Sequence, residues 1–178
     1  MVAQLAKPSD LATRLGVAAS DPSLLLALQR ASDRFEGEVG YPILKVEDDV
    51  VHLSGDGTRT LLLPAVPVVG EVTVVIGGSH VTDFELARRA GILRRGACWP
   101  DGLENIEVTY THGWDSVPGD IADAVLEQAE ATYWVLPSVA NVAAGSEQMA
   151  FFATAASGVT QRWSDAVARY ELRHGDRS

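Results

Sequence analysis

The residues with the most chemical potential are four histidines, His52, His80, His112 and His174, and one cysteine, Cys98. The histidines lie far apart and form neither an H-x-H nor an H-E-x-x-H spacing, so nothing local proposes a metal site. A lone cysteine builds neither a disulfide framework nor a cysteine-based zinc site. Gly77-Gly78-Ser79-His80-Val81 approaches the nucleophile elbow G-x-S-x-G but ends on Val81, and it follows a strand without opening a helix. Gly55-Asp56-Gly57 is not followed by G-K-[ST], so it is a turn and not a phosphate loop. Glu47-Asp48-Asp49 lacks the alternating D-x-D-x-D-G ligand spacing of a calcium loop and reads as a solvated acidic strand entrance. No pair of carboxylates is singled out by spacing for acid–base work. The expectation is a chain with no catalytic residue, no cofactor and no metal.

The remaining distinctive residues suit contacts better than catalysis. Arg88-Arg89 and Arg94-Arg95 flank Gly91. They are either solvated hairpin arms or a basic patch for an acidic partner, which could be another copy of the chain. Trp99 and Trp114 stand in Pro- and Gly-rich loops. Tryptophans so placed either roof the core or anchor a contact.

Composition narrows the class. The chain has 178 residues, 47% hydrophobic and 21% charged, which is ordinary globular composition for one domain over residues 1–178. The net charge is −10, from 24 acidic and 14 basic side chains. A DNA-gripping surface needs clustered Lys and Arg, which this balance disfavours. Residues 47–117 hold eleven acids against five arginines, and residues 118–137 hold four acids and no base. The N-terminus lacks an apolar run of signal-peptide length, and no stretch is long enough to span a bilayer. A soluble protein made in a reducing cytoplasm is expected.

These residues need elements to position them. Ser9 to Leu15 reads as a helix capped by Ser9 and stopped by Gly16. A longer helix begins with Asp21 as cap and Pro22 at the first helical position. Leu24, Leu28, Ala31, Phe35 and Val39 recur at three- and four-residue steps on one face. From Val46 to Gly113 the period falls to two. Val50–Leu53 and Thr58–Leu63 flank Gly55-Asp56-Gly57 and read as a β-hairpin. Glu71–Ile76 closes on Gly77-Gly78, Phe84–Ala87 and Ile92–Arg95 form a second hairpin, and Asn105–Thr111 is a half-buried strand. Pro118-Gly119-Asp120 opens a helix to about Leu136. On it Asp120, Asp123, Glu127 and Glu130 form an acidic stripe opposite Ile121, Val125, Ala129, Thr132 and Leu136. Residues 138–158 read as a small-residue loop, Val159–Trp163 as a short strand, and Ala166–Tyr170 as a helical turn or two. The fold expected is α+β. A helical core from residues 9–40, 118–136 and part of the C-terminus holds a β-rich insert over about 46–113. The ends of the insert must lie close together if the flanking helices pack through Leu28, Phe35, Ile121 and Val125.

The order of these segments resembles the head-to-tail connector, or adaptor, proteins of long-tailed bacteriophages, especially those of actinobacterial hosts. The resemblance rests on Gly40-Tyr41-Pro42, on the run from Gly55 to Pro64 with Val66-Pro67-Val68, and on Gly91-Ile92-Leu93-Arg94 and Trp99-Pro100. It rests most on Val108-Thr109-Tyr110-Thr111-His112-Gly113-Trp114 leading to Val117-Pro118-Gly119-Asp120-Ile121. It covers about residues 9–136. It implies a virion structural subunit, made in the host cytoplasm. Such a subunit forms a ring of about twelve copies on the portal protein, extends the DNA channel and docks the stopper or tail. DNA would pass without sequence-specific binding, and no membrane is involved. A stopper, a tail terminator or a small enzyme without a recognisable motif are the alternatives. Within this reading the acidic stripe is a solvated face, a channel wall that lets DNA slide, or the partner of Arg88, Arg89, Arg94 or Arg95 on the next subunit.

Overall fold

The computed structural model describes residues 4–135 and 159–172. Four described helices and two antiparallel sheets give a mixed α+β fold. The chain divides into two compact units, one from residues 1–40 and 117–171, the other from residues 41–116 and 172–178.

The first unit is helical. Helix α1 spans Pro8–Leu15 and α2 spans Pro22–Val39. After the β-sheet unit come α3, Gly119–Val135, and α4, Gln161–Tyr170. At the start of α2 the Asp21 carboxylate accepts the Leu24 N–H at 2.9 Å, and Pro22 occupies the first turn. Leu24, Leu28, Ala31, Phe35 and Val39 are all buried, as their spacing requires. Ile121, Val125 and Ala129 of α3 are fully buried in the same unit, while Thr132 is half-buried and Leu136 lies outside the described residues. Ser32 is a polar side chain wholly enclosed there, and it is satisfied. Its hydroxyl donates to the Leu28 carbonyl at 2.9 Å and accepts the Leu5 N–H at 3.1 Å.

Two helix starts differ from expectation. Helix α1 begins two residues earlier, with Lys7 rather than Ser9 at the cap position and no side-chain cap bond. Pro8 fixes its own φ near the helical value, so the helix starts there and Ser9 falls inside the first turn. The Ser9 hydroxyl instead donates to Asp10 at 3.0 Å. The strand expected over Val159–Trp163 is instead the start of α4. Thr160 caps it by accepting the Trp163 N–H at 3.2 Å, and Trp163 and Ala166 then bury one helical face. The loop expected over 138–158 lies outside the described residues.

The second unit is built of strands β1 (Val46–Gly55), β2 (Thr60–Leu62), β3 (Val68–Ile76), β4 (Ser79–Val81), β5 (Phe84–Ala87), β6 (Ile92–Arg95) and β7 (Gly102–His112). One sheet has the order β1-β7-β3-β4 and the other β2-β6-β5. They enclose Leu61, Leu63, Val68, Val74, Leu93, Trp99, Ile106, Val108 and Tyr110. The β5–β6 hairpin forms as expected, with Ala87 opposite Ile92. The ends of the insert meet: Val46 pairs with His112, and Trp114 donates its N–H to the Ile43 carbonyl at 3.0 Å.

The hairpin expected around Gly55-Asp56-Gly57 does not form. Strand β1 pairs with β7 and β2 with β6, so this turn carries the chain from one sheet to the other. The eleven-residue β7 offers β1 a long ladder, from Val46 opposite His112 to Gly55 opposite Gly102, whereas β2 has only three residues. Pairing follows the longer ladder. The Asp56 carboxylate folds the turn locally by accepting the Thr58 N–H at 3.1 Å and the Thr58 hydroxyl at 2.7 Å.

Candidate functional site

The acidic stripe on α3 is engaged by arginines of its own unit. The Arg169 guanidinium lies 2.8 Å from the Asp120 carboxylate, and the Tyr170 hydroxyl donates to Asp120 at 2.9 Å. Arg14 of α1 stands 3.7 Å from Asp123, and Arg162 of α4 lies 3.9 Å from Asp123 and 3.8 Å from Glu127. Glu130 is half-buried and has no ion-pair partner among the described residues. Burial, followed by the Asp120 carboxylate, pushes the Tyr170 phenol up to about 12. The stripe is thus the surface onto which α4 packs, with Trp163 as the apolar anchor. That ring meets Phe35 edge-on at 5.2 Å, and its indole N–H donates to Glu38 at 2.7 Å. Arg169 reaches Asp120 across 49 residues of chain, a separation that no local pattern exposes. The local signals for α4 are the helical pattern of Ala166–Tyr170 and the spacing of Thr160 and Trp163 at its cap.

The arginines of the β-sheet unit divide. Arg95 pairs with Asp83 at 2.9 Å and lies 4.9 Å over the Trp99 ring. Its hydrogen bond holds the Asp83 carboxyl below the usual range. Arg88 donates to the Gly70 carbonyl. Arg89 and Arg94 are exposed and have no ion-pair partner among the described residues. Arg94 stands opposite Thr60 on one side and Glu85 on the other. The structure therefore brings Arg94 and Arg95 onto one sheet, while Arg88 and Arg89 sit in the turn before them.

The two loop tryptophans also part. Trp99 is 0% exposed, so it belongs to the core of its unit and offers no surface to a partner. Trp114 is half-buried and clamps the base of the unit through backbone bonds with Ile43 and Lys45, both at 3.0 Å. Of the histidines, buried His112 meets Asp49 at 3.2 Å and His52 meets Glu107 at 3.5 Å across the β1–β7 pair. Glu47 pairs with Lys45 at 3.1 Å, and among the described residues no three His, Cys, Asp or Glu converge on a metal-sized site. No described helix is long and apolar enough to cross a membrane. Sequence reasoning misses Leu103, which stands 87% exposed at the register shift near the start of β7.

No protein-family profile and no curated protein matches the chain. Among solved structures it is similar to a chain described as the neck of a native GTA particle computed with C12 symmetry. The identity is 22% and the TM-score 0.47, covering 74% of this chain and 78% of that one.

Proposed function

We propose that this chain is a head-to-tail adaptor subunit of a tailed bacteriophage or of a prophage relic. In this reading it is a structural protein of the virion and not an enzyme. It is made in the host cytoplasm and assembles as a ring of about twelve copies on the portal protein. The ring extends the DNA channel and presents a docking surface for the stopper or tail. The observation that supports it is the ordered set of segments that resembles connector proteins. Those segments build α1 and α2, the β-sheet unit and α3 in succession, so the resemblance runs through both compact units. The net charge of −10 suits a channel wall that repels the phosphate backbone. It also disfavours self-association of the free chain, so a monomer or weak oligomer is expected until the portal gathers the copies.

Deleting the gene from its phage tests the role. The expected result is heads and tails of normal length that accumulate unjoined, with joining restored by the gene supplied in trans. Tails of uncontrolled length would instead assign the chain to tail termination. Normal yields of infective particles would remove it from the connector altogether.

A further inference from the structure

The β-sheet unit carries a projection and a hollow of opposite character. The projection is the bulged start of β7, where Leu103 is 87% exposed, the most exposed large apolar side chain among the described residues. Asp101 and Glu104 flank it, and neither has an ion-pair partner among the described residues. This segment is held in place. The Glu104 N–H donates to the Ser54 hydroxyl at 2.9 Å, and the Asn105 side chain spans from the Pro100 carbonyl to the Gly55 N–H, both at 3.0 Å. Glu104 adopts a φ of +49°, a conformation that costs a non-glycine residue energy and clusters at functional segments. An isolated exposed leucine is ordinary; one fixed on a strained, hydrogen-bonded strand bulge between two unpaired acids is shaped for a contact.

The hollow is an open depression of about 430 Å³ on the three-stranded sheet, with half-buried Phe84 and exposed Thr82 in its lining. Arg59, Arg94 and Arg95 face Asp83 and Glu85 there. Arg95 and Asp83 satisfy each other at 2.9 Å, which leaves Arg59 and Arg94 against Glu85 alone. This is a locally positive depression in a chain of net charge −10. Three of the four acids of the α3 stripe, Asp120, Asp123 and Glu127, are poor partners for it, since Arg14, Arg162 and Arg169 already pair with them.

We infer that the hollow receives the Asp101–Glu104 segment of a second copy of this chain. Leu103 packs against Phe84, and Asp101 and Glu104 approach Arg59 and Arg94. The contact joins unlike surfaces of two copies, the kind of interface that closes into a ring. The inference rests on the adaptor reading for its purpose, but the contact is measurable without it.

The test uses two preparations of the full chain, both carrying Cys98→Ser, one with Leu103→Cys and the other with Thr82→Cys. Both positions are exposed, so neither change disturbs the core. Under mild oxidation of the mixture the mixed disulfide dominates over both like-with-like products. A mixture in which it is no more abundant than those overturns the inference. In sedimentation velocity, Leu103→Ala and Arg94→Glu each weaken self-association about tenfold, the loss typical of one truncated contact anchor. Arg94→Glu combined with Glu104→Arg restores it. Self-association untouched by these changes overturns this contact while leaving a ring possible through other surfaces. A mixed disulfide in a complex that stops at two copies keeps the contact and removes the ring. If Arg59→Glu and Arg94→Glu abolish retention on a DNA column without altering association, the hollow is a phosphate site and the inference falls.

Discussion

At Gly55 an added methyl group would stand 1.8 Å from the Pro100 carbonyl oxygen, and that oxygen belongs to backbone that cannot swing aside. The close approach is where the chain leaves one sheet for the other, so Gly55→Ala should destabilise the β-sheet unit by about 1–3 kcal/mol or more, the range of overpacked sites. Chemical unfolding followed by Trp99 fluorescence would measure it, and an unchanged midpoint would show that the two backbones part at little cost. Tyr170 makes a prediction about pH. Its phenol is raised from 10.0 to about 12, because burial and the Asp120 carboxylate both disfavour the phenolate. A raised folded value means the contribution is fully present below about pH 10 and is lost as pH climbs from there through about 12. Tyr170→Phe should therefore flatten the alkaline loss of stability relative to the parent, and parallel curves would contradict this. Neither residue stands out in the sequence. Gly55 reads there as the first residue of a hairpin turn, and the partner that makes Tyr170 interesting lies fifty residues away in α3.

Among the elements, α2 is legible in the sequence because three signals agree: an Asp21 cap, Pro22 in the first turn, and an apolar face of period 3.6. Helix α4 is half hidden because β-branched Val159 and Thr160 and aromatic Trp163 imitate a strand, while the same Thr160 is the cap that starts the helix. The absent β1–β2 hairpin has a related cause. An Asp-Gly turn is a local signal, but pairing is decided by whichever partner offers the longer ladder, and β7 lies some fifty residues further on. The acidic stripe of α3 is visible as a pattern, but its partners Arg162 and Arg169 come from an element whose first turn local patterns misread as a strand. The pairing makes α4 a testable element. All its ion pairs are solvent-exposed, Arg169 at 68%, so each contributes no more than about 1 kcal/mol. Changing Arg162 and Arg169 together to Glu should speed amide hydrogen exchange across α4 severalfold and leave the α2 amides protected. Raising the salt concentration should move the parent in the same direction. Equal protection of α4 in parent and variant would mean that Trp163 alone holds the helix.

For the whole molecule, the division into a helical unit and a β-sheet unit follows from one change of hydrophobic period near Val46 and its reversal near Gly113, so this much of the fold is legible in the sequence. The contact surfaces are less so. Trp99 belongs to the core, the stripe meets arginines of its own unit, and Leu103 is silent in the sequence because a single leucine at a strand bulge carries no periodic signal. What remains among the described residues is unpaired charge of both signs on the β-sheet unit, at Arg94, Asp101 and Glu104, the charges that the proposed contact between copies would use. The decisive measurement is native mass spectrometry of this chain mixed with the portal protein of the phage or prophage whose genome encodes it. The account predicts a portal ring carrying about twelve copies of the chain, formed without any other phage protein. A portal ring that binds none, while the chain is recovered with tail proteins instead, would contradict it.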